Sequence, residues 1–171
     1  SYYTTINSVR QKTQQVNKKN WEEAGIKVQL GQGTADVFFS SAPGNDQTFY
    51  HNYRDIDMFT DNPTSPIPLG YMISFYAGPD NSNISQASNQ WSGGNSARYV
   101  NPEFDALYEQ MLATTDAEAA AELFIQMNDL LVNDYAAIAL VNAGSKAGYS
   151  NTLNAENLAL GPFEYNYWNI V

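Results

Sequence analysis

One histidine, no cysteine and eighteen acids against eight cations limit the chemistry that this chain of 171 residues can perform. Without a thiol there is no disulfide framework, no thiolate metal site and no cysteine nucleophile. His51 stands in a polar stretch with no second histidine. Zinc and its relatives take several converging ligands, so no metal site is expected and His51 is read as a surface or capping residue. A Ser-His-acid triad would need this same histidine, and no G-x-S-x-G elbow accompanies it. Gly93-Gly94 lacks both the Lys-Ser/Thr ending and the preceding strand of a phosphate loop. Asp55-x-Asp57 with Asp61 resembles a calcium loop stripped of its glycine and terminal glutamate, and alternating acids on a strand are more simply its solvent face. Asn83-Ile84-Ser85 has the form of a glycosylation sequon. No catalytic residue and no cofactor is assigned. A carboxylate-based hydrolase stays open, because such pairs assemble through space rather than along the chain.

What remains is binding chemistry. The composition is 13% aromatic, with twelve tyrosines and three tryptophans, side chains that suit a ligand cleft as well as a core. The candidate ligand contacts are Phe59, Thr60 and Asp61 at a strand end, and Trp91, Asn95 and Arg98 in a long polar stretch. Trp91 can stack on a sugar ring, cover a peptide side chain, or pin its own loop. Arg98 can hold a ligand carboxylate in bidentate fashion, or pair with a neighbouring acid such as Asp105. Asn95 can bond a ligand or fix a turn. The net charge of −10 disfavours nucleic acid and anionic membranes as partners. Charge is unevenly spread: residues 1–27 hold Arg10, Lys12, Lys18, Lys19 and Lys27 against Glu22 and Glu23. A basic first helix of this kind is read as a solvated face.

The elements that must position these residues follow from pattern. Residues 2–6 read as a strand. Ser8-Val9-Arg10-Gln11 has the form of a capping box, opening a helix with Val9, Val16 and Trp21 inward that stops at Gly25. Residues 26–30 alternate as a second strand, giving a strand–helix–strand unit in one sheet. A short helix is expected over 34–41, a strand over 55–59, a proline-broken loop over 60–68, a short helix over 69–76 and a long ordered loop over 78–96 anchored by Trp91. Asn101 and Pro102 open a helix with Phe104, Leu107, Tyr108 and Met111 inward. Thr115-Asp116-Ala117-Glu118 opens another, with Phe124, Met127 and Leu131 on one face, ending near Asp134. Residues 138–141 read as a strand. The tail from Asn154 carries Phe163, Tyr165, Tyr167 and Trp168 and needs something to lie against. The expected class is α/β, a mixed sheet flanked by helices, with residues 1–153 as one domain and 154–171 as the tail. The sequence opens at Ser1 without a methionine, which suggests a processed or excised piece; it has no signal sequence and no run as long as a membrane span, so no membrane insertion is expected.

Taken in order, several of these segments resemble one family. They are Ser8-Val9-Arg10-Gln11-Lys12 through Trp21 to Val28, the loop Asn95-Ser96-Ala97-Arg98-Tyr99, then Asn101-Pro102-Glu103-Phe104-Asp105-Ala106-Leu107 and Met127 to Leu140. Together they resemble the C-terminal lobe of family 5 extracellular solute-binding proteins, the dipeptide and oligopeptide receptors of ABC importers. The resemblance runs over nearly all of the chain. It implies one lobe of a type II periplasmic-binding-protein-like fold, a non-enzymatic receptor that closes on a peptide-like solute and delivers it to an importer permease outside the cytoplasm, either in a periplasm or lipid-anchored at a cell surface. It also implies that a first lobe is missing and that the tail returns toward it. Two positions depart from the family. Thr60 stands where a tryptophan is usual, and Ile67 where an acid grips a ligand amine. Either Asp61 substitutes for that acid or the ligand is not an ordinary free-amine peptide; sugar-binding members keep a sugar receptor open as the alternative.

Overall fold

A computed structural model describes residues 1–42, 44–61, 69–142 and 150–152. The chain begins with β1 (Tyr2–Thr5), α1 (Ser8–Glu23), β2 (Leu30–Gly33), α2 (Ala35–Phe38) and β3 (Ile56–Met58). The three strands form one sheet in the order β2-β1-β3. Both pairings are parallel, Tyr2 facing Leu30 on one side and Ile56 on the other. The expected α/β architecture is present; the sheet was expected to be mixed, and its described strands all run the same way.

The cap of α1 is Asn7, one residue before the expected Ser8, because the Asn7 side chain reaches the amides of Val9 and Arg10 at 3.0 and 3.2 Å. The helix ends as its glycine signalled. Gly25 takes φ +86°, and the amides of Gly25 and Ile26 close back on Glu22 and Trp21. The inward face keeps Trp21, as expected, but not the two valines. Val9 and Val16 are 70% and 58% exposed, while Gln14 is buried. Its amide donates to the carbonyls of Tyr2 at 2.7 Å and Gly31 at 3.1 Å, stitching the helix to two strands. Trp21, seven residues on, lies 5.0 Å from the Tyr2 ring. Two rows at heptad spacing therefore compete for the sheet, and the row that can hydrogen-bond to it wins.

The second strand starts at Leu30 rather than Ile26. Ile26 is drawn back by the helix end, its amide bonded to the Trp21 carbonyl, and Lys18 Nζ donates to the Val28 carbonyl at 2.6 Å; only from Gln29 does the chain reach β1. A Cβ on Gly31 would stand 2.4 Å from the Tyr3 ring, so β2 reaches β1 there only as glycine. Opposite α1, Phe38 packs on Tyr3, Phe39, Phe49 and Phe59.

The remaining elements are α3 (Leu69–Met72), α4 (Pro102–Ala113) and α5 (Ala117–Asn133). Their core is Met72, Phe75, Phe104, Leu107, Tyr108, Met111, Met127 and Leu131, so both inward stripes were expected correctly, with Phe124 packed at the edge. Asn101 caps α4 as expected. The cap of α5 is Asp116 instead of Thr115, accepting the Ala119 amide at 2.8 Å.

Between Gly78 and Ser96 the long loop is ordered through its asparagines. Asn83 donates to the carbonyls of Ile73 and Tyr76 and accepts the Gly94 amide. Asn89 donates to the Ile84 carbonyl, and residues 84 and 95 form a bridge. These side chains replace a ladder the loop does not have. The sequon asparagine thus spends its amide nitrogen inside the fold.

Residues 138–142 form no strand. Ile138, Leu140 and Val141 are 61%, 46% and 79% exposed, and no described strand edge lies beside them. An apolar run becomes a strand only against a partner. Residues 62–68 of the expected loop over 60–68, residues 143–149 and the tail from Asn154 lie outside the described residues. No helix among the described residues is long and apolar enough to cross a membrane.

Candidate functional site

The strand order singles out one edge of the sheet as a candidate site. The chain leaves β1 for β2 on one side and returns to β3 on the other, so the carboxyl ends of β1 and β3 lie side by side where the strand order reverses. In open parallel sheets that reversal is where ligands sit. Thr5 ends β1, Arg10 lies in the first turn of α1, and Phe59 and Thr60 follow β3. Arg10 ties these elements together, donating from Nη1 to Thr5 Oγ1 at 2.5 Å and from Nη2 to Thr60 Oγ1 at 3.1 Å. Both partners are neutral hydroxyls, and none of the ion pairs among the described residues involves Arg10. A guanidinium offers five N–H donors, so further donors remain for an oxyanion.

Phe59 precedes Thr60 in the chain and packs on the phenylalanine cluster. It is 37% exposed, its ring 5.1 Å from Phe49, 5.9 Å from Phe39 and 6.0 Å from Phe38. Asp61 is exposed and near Tyr71, whose hydroxyl is pushed up by burial first and by the Asp61 charge second. Ile67, the position of the missing family acid, lies outside the described residues.

The other three candidates belong to the loop. The Arg98 backbone adopts φ +55° and its guanidinium donates to the carbonyls of Ser85 at 3.1 Å and His51 at 2.5 Å. The expected pairing with Asp105 is absent, because Asp105 accepts the Ala77 amide at 3.0 Å and holds the turn there. Burial raises the Asp105 carboxyl, with Glu109 adding to it. Asn95 is fully buried. Its side chain donates to the carbonyls of Phe75 and Tyr99 and accepts the Tyr99 amide. Every polar atom of that side chain serves the loop.

Trp91 is half-buried, with the His51 ring 4.2 Å away, Tyr53 at 5.7 Å and the Arg98 guanidinium at 5.4 Å. His51 is not on the surface as expected; it is 1% exposed. Neither ring nitrogen makes a hydrogen bond, although Asp46 Oδ1 stands 3.3 Å from Nδ1, close enough for attraction without bonding geometry. The aromatic face of Trp91 is what draws the imidazole in. Ser85, buried nearby, gives its hydroxyl proton to the Trp91 carbonyl. No group of three metal-ligating side chains occurs among the described residues.

The structure thus places Thr60 on Arg10 and Phe59 in the phenylalanine cluster, and brings Trp91 and Arg98 together around His51. The two groups are linked by the contacts Phe59–Phe49 and Phe49–Tyr50, with His51 next in sequence. In the sequence Arg10 reads as part of a basic helix face. The signal that finds it is position, a cation three residues after the cap of a helix that follows a parallel strand. His51 had no such signal, since its burial depends on Trp91, forty residues away in the sequence. Comparison with protein-family models, with curated proteins and with solved structures finds no match to this chain. The chain is a small α/β domain whose three-stranded parallel sheet opens, at the carboxyl ends of β1 and β3, onto a guanidinium with neutral partners.

Proposed function

We propose that this chain is the ligand-binding lobe of an extracytoplasmic solute-binding protein of the peptide-importer type, a receptor that hands a peptide-like solute to an ABC importer permease. The observation that carries the reading is the Arg10 guanidinium suspended between Thr5 and Thr60 at the carboxyl ends of β1 and β3, with the exposed Phe59 next to Thr60 in sequence. A carboxylate and an adjacent apolar side chain are complementary to that pair of groups. The family resemblance supplies the second support, and with it a first lobe forming the other wall of the cleft. On this reading Phe59, Thr60 and Asp61 line the cleft, while Trp91, Asn95 and Arg98 hold the loop that flanks it.

The test is native mass spectrometry of the parent polypeptide, with calorimetry against a mixed pool of short peptides. A co-purifying solute of peptide size is expected, and Arg10→Ala should weaken its binding at least about tenfold, the loss of one charge-assisted contact of 1.5–3 kcal/mol. A parent that retains its peptide in the Arg10 variant leaves the receptor and removes Arg10 from the cleft. Turnover of peptides or glycosides by the chain would replace the receptor with a hydrolase.

A further inference from the structure

Helices α1 and α5 each present an exposed stripe to solvent, and the two stripes are complementary. On α1 the stripe is Val9, Lys12, Val16 and Lys19, all exposed. On α5 it is Glu122, Ile125, Asp129 and Val132, likewise all exposed. The valines of α1 are seven residues apart, as are Ile125 and Val132, and so are the two lysines and the two acids. At 1.5 Å per residue each interval spans about 10 Å. Laid antiparallel, one register satisfies every position: Val9 meets Val132, Lys12 meets Asp129, Val16 meets Ile125 and Lys19 meets Glu122. The antiparallel arrangement also opposes the two helix dipoles.

We propose that this seam is an interface between copies of the chain, α1 of one copy lying antiparallel on α5 of another. The charges are free to engage. Lys19 has only a loose exposed pair with Glu23 at 3.8 Å, and Glu122 accepts from the exposed Gln126 at 3.1 Å. From Pro102 to Asn133 the two helices carry acids and no lysine or arginine, whereas residues 1–27 are net basic, so the two surfaces attract although the whole chain is at −10. That overall charge sets the salt dependence. Near 0.1 M salt, where the Debye length is about 10 Å, long-range repulsion is screened and contact pairs survive; near 1 M the contact pairs are screened as well. The seam joins two different surfaces, so a two-fold dimer would form it twice, and where that does not close, copies build a ring or extend.

The experiment is sedimentation velocity of the full chain across a concentration series. Wild type should exceed monomer mass at about 0.1 M salt and return toward monomer near 1 M. Lys12→Glu with Lys19→Glu should weaken association about tenfold, and Glu122→Lys with Asp129→Lys should do the same, each turning two attractions into repulsions. Mixed in equal amounts, the two variants should associate with one another as wild type does, because acidic α1 now meets basic α5 and basic α1 meets acidic α5. All four substitutions are at exposed positions, and an unchanged thermal melt confirms that each variant folds. A monomeric wild type, association that ignores the charge reversals, or a mixture that fails to recover would each overturn the proposal.

Discussion

Tyr99, Asn101 and Asp134 form a polar knot at the end of α5. Tyr99 donates to Asp134 at 2.6 Å, and Asn101 donates to the same carboxylate oxygen at 3.0 Å. Burial, and then the bond to Asp134, push the Tyr99 hydroxyl up to about 12. The bond from Tyr99, and next that from Asn101, hold the Asp134 carboxyl below its usual range. The two groups act at opposite ends of the pH scale. A tyrosine raised from 10.0 to about 12 gives stability that is whole below pH 10 and is lost as pH climbs through about 12. An acid lowered from 3.8 gives stability that is present above that value and is lost as pH falls through the folded one. Tyr99→Phe should therefore flatten the alkaline loss relative to wild type and shrink the acid one, Asn101 preserving part of the latter. Urea midpoints measured in steps across both ranges check this; parallel curves for the two proteins would show that the knot contributes nothing. His51 allows a second test at this scale. A buried donor or acceptor without a partner costs about 1–3 kcal/mol. His51→Phe keeps a ring against Trp91 and removes both nitrogens, so the variant should unfold at higher temperature than wild type, by a few degrees.

At the level of elements, the helix ends show what the sequence made legible. Gly25 and Pro102 mark a stop and a start that the structure reproduces, because each acts through its own backbone. The apolar stripes of α4 and α5 were equally readable, since those helices pack on one another over a short loop. The α1 stripe was misread because its sheet-facing row is polar: Gln14 outbids Val16 by bonding to strand carbonyls that only the folded sheet presents. The strand expected at 138–141 fails for the converse reason, an apolar run that pairs with no strand among the described residues. Much of the candidate site was hidden in the same way. Phe59 and Thr60 were visible as a strand end, but Arg10 gains its meaning only when β1 and β3 become neighbours. The end of α5 was not foreseen in detail either. Tyr135 occupies the left-handed position, φ +55°, with the Ala136 amide closing on Leu131 at 3.0 Å. Glycine is the usual residue there, and Tyr135 is 80% exposed, so little packing is lost on its removal. Tyr135→Gly should stabilise the fold by about 0.5–1 kcal/mol, read as a higher denaturant midpoint at unchanged slope. A lower midpoint would mean that the tyrosine ring packs in solution.

The described residues form two packed regions that meet at a junction around His51 and Trp91. The first buries Tyr2, Phe38 and the phenylalanines around them against the sheet; the second buries Met72, Phe104, Met127 and their neighbours between helices. Among the described residues, the Arg98 bond to the His51 carbonyl and the packing of Trp91 on His51 and Tyr53 bridge them. The junction is built at a cost. Asn52, Gln90, Trp91 and Arg98 all have positive φ, between 43° and 63°, a conformation that asparagine tolerates and tryptophan and arginine do not favour. Strain of this kind persists only where surrounding contacts hold it, and those contacts here are the ones that cross between regions. Trp91→Ala removes the half-buried ring on which the bridge stacks, for a loss of about 2 kcal/mol, less than full burial would give. Because each region keeps its own core, the loss should fall on their coupling rather than on either core. Hydrogen exchange read by peptide should then show β1, β3 and the 45–55 segment opening at a lower denaturant concentration than α4 and α5, where wild type opens both together. If the variant's two regions still open in one step, their cohesion lies elsewhere and the junction is only a contact. If the difference appears in wild type already, the two regions are independent folding units and Trp91 binds them weakly from the start.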